Sequence, residues 1–364
     1  MKINGMEMSR NEVQKRTGNL SQLGTLRHYQ LIEGKACGVV AADFRNYSGF
    51  EFTVLPGRAM DISCASYKGT GLVFHTPSGE VHAGFYNSAK DEWLRSFFGG
   101  LLTTCGLTYF GHSGKDGDEE LGLHGRVSNI PAKKVCDNSR WDGDEYVLNL
   151  SGVVEEASLF GHKLRLERSI TSRLGEKKLE IHDKVTNIGF EDSPFNILYH
   201  LNMGYPLLDD GCELWLTSDR KKGGEASRDD AMAFSGPIKG FKEQLFLHSM
   251  LGDAQGYALA GFINKKRGLG LYIRFKADTL PYLNEWKMLG CGEYVVGIEP
   301  MNSRLMNRGL QRQLNILPML HPGEEREMRL EIGMLDGSKE IEAFRIRIEE
   351  AVRRPCATRE GTPV

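Results

Sequence analysis

The chain reads as a succession of short apolar and β-branched runs punctuated by Gly, Asn, Asp and Pro, the pattern of strands joined by turns. It is plainest in Leu26 to Gly34 (LRHYQLIEG), Phe50 to Pro56 (FEFTVLP), Tyr146 to Val154 (YVLNLSGVV), Lys163 to Leu174 (KLRLERSITSRL) and Lys177 to Asn187 (KKLEIHDKVTN). Several of these alternate apolar and polar residues, as a strand buried on one side must, because successive side chains point to opposite faces. The last two, joined by Gly175 and Glu176, predict a hairpin, and Gly256 to Phe275 predicts another around a turn holding Arg267 and Gly268. Helical spacing is confined to Asn11 to Arg16, Ala89 to Phe97 and Lys339 to Val352. The expected fold class is all-β: antiparallel sheets with a few short accessory helices. No segment repeats, none is low in complexity and no Pro- or Ser-rich linker divides the chain. The expected organisation is an N-terminal extension (1–24), one domain (25–352) and a loose C-terminal tail (353–364).

Composition narrows the partners. The chain of 364 residues can bury one large core, and its 43 glycines suit a protein rich in turns. Its 46 Lys and Arg nearly cancel 48 Asp and Glu, with no long run of either sign, so neither nucleic acid nor a membrane surface is expected as a partner. A small neutral molecule is favoured, and a homodimer stays open. Seven cysteines stand singly, at Cys37, Cys64, Cys105, Cys136, Cys212, Cys291 and Cys356, without C-x-x-C spacing. That pattern fits reduced thiols and a cytoplasmic location better than a disulfide framework. The opening MKINGMEMSRNEVQKR holds no apolar segment and no later stretch approaches the roughly 18 apolar residues of a membrane span, so neither export nor insertion is expected.

An all-β domain of this size binds ligands on a concave sheet face or in a barrel mouth, where polar residues interrupt apolar strands. Three places qualify. In LGLHGRVSNIPA, His124 sits among Gly122 and Gly125, which allow close approach of backbone or ligand. In SPFNILYHLNMGYP, Asn196, His200 and Asn202 share one strand face by period-two spacing. In EYVVGIEPMNSR, Glu299 ends an apolar run and precedes Pro300, which is expected to stop the ladder. Each alone has a structural explanation: a strand histidine commonly pairs with backbone groups, and a glutamate before proline is commonly a strand-end charge.

Taken together, Leu-His-Gly, then Asn-x-x-x-His, then Glu-Pro resemble the aldose 1-epimerase (galactose mutarotase-like) superfamily. The wording of PGRAMDIS, FFGGLLTTCG, GLHGRVSNIPA, NEWKMLGCGEYVVGIEP and LPMLHPGEE resembles its DUF4432 branch, over roughly Leu26 to Gly333. The resemblance implies a large twisted β-sandwich with a sugar on its concave face. It implies His124 as an active-site histidine, His200 as proton donor and Glu299 as catalytic base. The family's sugar-binding aspartate has no obvious counterpart unless Asn284 or Glu285 takes its place.

The chemistry follows from the residue types as well. Interconverting the anomers of a ring-closed aldose removes the proton of the C1 hydroxyl while protonating the ring oxygen, after which rotation about the C1–C2 bond and reclosure complete the exchange. A carboxylate suits the first task and a histidine the second, each contributing about 10² to 10⁴ in rate, with no metal, nucleotide or redox cofactor needed. Expected sugar contacts are Arg58 and Asp61 of LPGRAMDIS, Asn196, Glu285, Trp286, Lys287 and Asn302. Arg58, Arg126, Lys287 and Arg304 would suit an anionic group on the sugar. Two other classes compete: a metal-dependent sugar isomerase, lyase or hydrolase with His124, His200 and Glu299 as ligands, and a non-catalytic carbohydrate-binding protein.

Overall fold

The computed structural model describes residues 1–355 apart from 4, 219–231 and 233; the expected tail therefore lies largely outside the described residues. The strictest alternation in the sequence gives the most regular strands. Lys163–Arg173 and Lys178–Asn187 bury every second side chain without exception and pair antiparallel, as the hairpin prediction requires. They lie within a nine-stranded antiparallel sheet. Its order runs Lys133–Asp137, Glu145–Ala157, Lys163–Arg173, Lys178–Asn187, Glu325–Asp336, Leu269–Lys276, Tyr257–Asn264 and Glu213–Leu216, with Arg140–Asp142 pairing to the second of these.

Two five-stranded sheets face it. One is N-terminal: Thr25–Gln30, Val40–Arg45, Phe50–Leu55, Asp61–Tyr67 and Thr70–Gly71. The other, the central sheet, has the order Gln244–Ser249, Tyr282–Leu289, Tyr294–Met301, Asn196–Gly204, Thr103–Leu107. The buried core between these layers joins Leu164, Ile170 and Ile332 of the large sheet to Leu201 and Ile298 of the central sheet and Phe52 and Ile62 of the N-terminal one. This is the expected all-β antiparallel sandwich.

Every residue of Asn196–Gly204 and of Tyr294–Met301 is buried, so the central sheet is covered on both faces. Its second face lies under a smaller cluster that includes Trp93, Phe97, Phe110 and Leu123, contributed by loops. The candidate site lies between that loop layer and the sheet.

Helices are few. Arg10–Gln14 and Ser338–Arg353 fall where helical spacing predicts them. The expected helix over Ala89 to Phe97 is only a 3-10 turn, Glu92–Arg95. Trp93 and Phe97 are spaced as on a helix face because a compact turn sends both rings into one cluster, where they stack at 4.6 Å. A short helix at Arg308–Gln313, capped by the Asn307 side chain, was not foreseen. Pro300 does not stop its ladder. It pairs with Leu283 inside the Tyr294–Met301 strand, and the pairing with Asn196–Gly204 skips Glu299 and Pro300, so the missing N–H breaks no bond there.

Candidate active site

The register of the central sheet brings the site together. Thr103 stands opposite His200, and Asn284 stands opposite Glu299, on adjoining strands. Two residues along, and so on the same face, Asn202, Gly297 and Trp286 are aligned in the same way. Since Cβ positions along a rung share a face, His200, Glu299, Asn284 and Trp286 all point into the space beneath the loop layer. There they line a cavity of about 210 Å³.

His200 Nε2 lies 3.1 Å from Glu299 Oε1, and both residues are almost fully buried. The contact is close but lacks the alignment of a hydrogen bond, leaving Glu299 Oε1 and His200 Nδ1 without partners. Asn284 Nδ2 donates to Glu299 Oε2 at 2.8 Å, which fixes the carboxylate plane and turns Oε1 toward His200. Gly297 makes the arrangement sterically feasible: a Cβ there would meet Glu299 Oε1 at 2.4 Å and His200 Cε1 at 3.2 Å.

Burial governs the electrostatics. It pushes Glu299 up to about 8, a rise that the Asn284 hydrogen bond partly opposes, and pushes His200 down to about 4. Both shifts disfavour charge. At neutral pH the site holds a protonated carboxyl beside a neutral imidazole, so the pair carries one proton more than its fully deprotonated form.

His124 comes from the loop following Glu119–Leu121, in the left-handed region (φ 57°). Its ring lies 5.7 Å from that of His200, nearly perpendicular to it, and 4.8 Å from Trp93. Backbone crowding explains the flanking glycines: a Cβ on Gly122 would reach Ser88 O at 2.2 Å, and one on Gly125 would reach Tyr109 O at 2.3 Å. Burial, with His200 and His112 adding to it, drives the His124 pKa well below the usual imidazole range, so it is neutral, and its Nδ1 has no partner. The walls are Trp93, Phe97, Leu123 and Trp286; Asp91, His112 and Glu243 stand exposed at the rim. Trp286 Nε1 donates to Glu243 Oε2 at 3.0 Å, which orients the indole.

Not every residue marked in the sequence reaches this cavity. Arg58 is fully buried and spends its guanidinium on the carbonyls of Ser128, Val81 and Ser96, pinning three loops together. Asp61, also fully buried, accepts from Thr104 and pairs with Arg168 at 3.0 Å. Arg168 in turn pairs with Asp183 at 2.7 Å, and Asp183 accepts from Tyr199. The sugar contacts expected of Arg58 and Asp61 are thus corrected to structural bracing. Glu285 and Lys287 point to the opposite face of their strand from Asn284 and Trp286. There Glu285 meets His248 at 3.3 Å, and Lys287 lies over the rings of Phe234 and Phe246. Alternation leaves Asn284, not Glu285, in the cavity.

Asn196 accepts from Ser303 at 2.5 Å, and Asn302 bridges the chain at Ile197 N and Phe195 O; neither lines the cavity. Arg126 and Arg304 do not line it either, and no lysine or arginine does so among the described residues. The donor atoms of His124, His200 and Glu299 do not all come within 4.8 Å of one another, so these three do not form a ready ligand set for a metal. A larger cleft of about 650 Å³ around Arg308 is a weaker candidate, because Asp116 and Glu119 already neutralise that guanidinium.

Sequence comparison matches residues 36–334 to a family described as a domain of unknown function, DUF4432. The chain belongs to this family. A solved structure from Klebsiella pneumoniae subsp. pneumoniae MGH 78578, provisionally named an aldose 1-epimerase, is 25% identical, covers 92% of this chain and 91% of its own, and superposes with a TM-score of 0.84. A galactose mutarotase-like protein from Clostridium acetobutylicum (15% identity, 86% and 99% covered, TM-score 0.59) shares the fold. So does a galactose 1-epimerase from Lactobacillus acidophilus NCFM (12% identity, 86% and 99% covered, TM-score 0.56). No curated protein matches the chain in sequence. This DUF4432 protein therefore has the galactose mutarotase-like fold, and among its described residues no helix is long and apolar enough to cross a membrane.

Proposed function

We propose that this DUF4432 protein is an aldose 1-epimerase that interconverts the α and β anomers of a free sugar by acid–base ring opening. The observation that carries the reading is the His200–Glu299 pair: two buried titratable groups 3.1 Å apart on a cavity floor, each with an atom left without a hydrogen-bond partner. Buried polar atoms without partners are rare, and here both belong to residues that line a cavity.

Ring opening moves protons at two oxygens bonded to the same carbon, so an acid and a base standing side by side can serve both. When the pair's one titratable proton moves from Glu299 to His200, Glu299 as carboxylate takes the proton of the C1 hydroxyl while imidazolium His200 gives one to the ring oxygen. The step ends with protonated Glu299 and neutral His200, the state that burial favours in the cavity. Reclosure on the other face of the aldehyde reverses both transfers. The Asn284 donor opposes protonation of Glu299 and keeps the carboxylate accessible to the cycle. Neutral His124, with its free Nδ1, can hold the ring oxygen or a neighbouring hydroxyl. Trp286 and Trp93 offer apolar faces to the sugar's C–H groups.

The volume, below the roughly 300–1,000 Å³ of drug-sized ligand sites, suits a single ring. The acidic rim and the lack of lining lysine or arginine among the described residues favour a neutral sugar over a phosphorylated or carboxylated one. The test is anomer exchange, by NMR saturation transfer or polarimetry, for a panel of neutral, phosphorylated and acidic sugars. Acceleration for a neutral aldose is the expected result; none for any sugar refutes the reading.

A further inference from the structure

Outside the cavity, on the outer side of the N-terminal sheet, Cys64, His75 and Glu80 converge. One ligand-type atom from each lies within 4.8 Å of the other two. We propose that these three residues bind a zinc ion, with water completing the tetrahedron, and that the ion braces the segment behind the cavity. The proposal is independent of the mutarotase reading.

The donor set comes first. Thiolate, imidazole and carboxylate are the ligand types zinc accepts, at about 2.0–2.3 Å from the metal, which in a tetrahedron puts ligand atoms about 3.5 Å apart. Closing from 4.8 Å or less needs side-chain rotation only. Among the described residues no hydrogen bond or close ion pair engages the His75 imidazole or the Glu80 carboxylate, whose charge is felt by Arg58, and Cys64 is a free thiol. The charges felt at the Cys64 sulfur, from Glu80 and Asp43, are both acidic. A histidine, a thiol and a carboxylate converge here; Arg58 feels the Glu80 charge but spends its own guanidinium on three backbone carbonyls, which leaves the three ligand atoms available to a cation.

The backbone adds a second observation. Between Ile62 and Ala65 the Asp61–Tyr67 strand carries one residue more than its partner does between Phe52 and Val54, so Ser63 and Cys64 together oppose Thr53. Such a bulge re-aims a side chain. Here Ser63 is turned inward and buried while Cys64 is exposed. Burial and the Glu80 and Asp43 charges push the Cys64 thiol up, and the buried Ser63 hydroxyl, which has no other partner, opposes that rise; a bound cation would supply the charge that stabilises the thiolate. His75 is equally fixed by its backbone, paired with Gly99, between Phe74 N donating to Asn202 O at 3.0 Å and Thr76 N donating to Phe98 O at 3.2 Å. Glu80 precedes Val81, whose carbonyl is held by Arg58. The three donors therefore sit on backbone that is already positioned, which reduces the ordering cost of ligation.

The location gives the ion a role. His75 lies between residues bonded to Asn202, two positions from His200, and to the Phe97–Phe98 backbone, where Phe97 forms a cavity wall. Bound zinc would hold this segment to the Asp61–Tyr67 strand.

The test uses the full chain, stripped with a chelator and titrated with zinc against a chromophoric competitor, and separately with cobalt. The expected result is one tight equivalent, a cobalt–thiolate charge-transfer band, and a higher Tm with zinc. C64S and H75A should each weaken zinc by about 100-fold or more and abolish the band and the Tm gain. Their metal-free far-UV spectra and Tm should match wild type, since both side chains are exposed. E80Q should keep the cobalt band and weaken zinc less. Unchanged zinc stoichiometry in the C64S/H75A double variant, or no thiolate band in wild type, overturns the proposal and assigns any bound metal to other exposed thiols such as Cys37, Cys136 and Cys291.

Discussion

Gly297→Ala isolates the geometry of the proposed acid–base pair from the pair itself. The added Cβ would stand 2.4 Å from Glu299 Oε1, about 1 Å inside ordinary contact, and would also press on Trp286 Cβ at 3.1 Å and His200 Cε1 at 3.2 Å. The imidazole can yield a few tenths of an ångström, whereas Trp286 Cβ is fixed to its strand. The carboxylate cannot recover the full 1 Å without leaving either its 2.8 Å bond from Asn284 or its 3.1 Å approach to His200. A misplacement of that size in a reacting group costs up to about 10² in rate, or about 2.7 kcal/mol of barrier. Stability should change less. Overpacking costs about 1–3 kcal/mol, while alanine regains about 0.5–1 kcal/mol over glycine in a strand whose φ is ordinary at this position. Anomer exchange at saturating sugar, beside urea denaturation of the same preparation, separates the two. A variant folded to within about 2.5 kcal/mol of wild type but slower by about 10² is expected. Wild-type turnover in a folded Gly297→Ala protein would refute the placement of Glu299 as a reacting group.

Other consequences follow from the same site. With Glu299 at about 8 and His200 at about 4, the one-proton form of the pair extends from about pH 4 to about pH 8. Below that window both groups are protonated and no base remains; above it neither is and no acid remains. The free-enzyme profile of kcat/KM should therefore be a broad bell with those macroscopic limits, and a bell confined between the ordinary values of 4.5 and 6.5 would contradict burial as the controlling effect. Asn284→Ala removes a donor that lowers the Glu299 pKa, so the alkaline limb should move to higher pH and kcat/KM should fall about 10–100-fold, as loss of a hydrogen bond to a charged group implies; an unmoved limb contradicts the role. Arg168→Leu leaves Asp61 and Asp183 buried without their cation and should destabilise by about 3–5 kcal/mol in chemical denaturation, whereas a loss under about 1 kcal/mol would show the network to be dispensable.

How far the sequence exposes this site depends on which physical signal each residue carries. His124, His200 and Glu299 are legible because motif order and strand context single them out, and the cavity contains all three. Parity could have sorted NEWK: if Asn284 and Trp286 face one side, Glu285 and Lys287 must face the other. Arg58 and Asp61 look like sugar ligands because their true partners are remote in the chain; Arg168 stands 107 residues from Asp61. No local pattern announces such a pair. Asp91, His112 and Glu243 lie outside regular strands, where periodicity says nothing about direction, and only the fold brings them to one rim. The sheet architecture was the more legible part, since alternation as regular as that of Lys163–Arg173 fixes both element type and buried face.

The central claim is that Glu299 and His200 exchange protons with the sugar. The decisive measurement is the anomer-equilibration rate of the accepted aldose with wild type, Glu299→Gln and His200→Asn at equal concentration of folded protein. The account predicts that wild type accelerates equilibration and that each variant loses about 10² to 10⁴ of that acceleration while retaining its fold and its affinity for the sugar. Near-wild-type acceleration by either variant would contradict it.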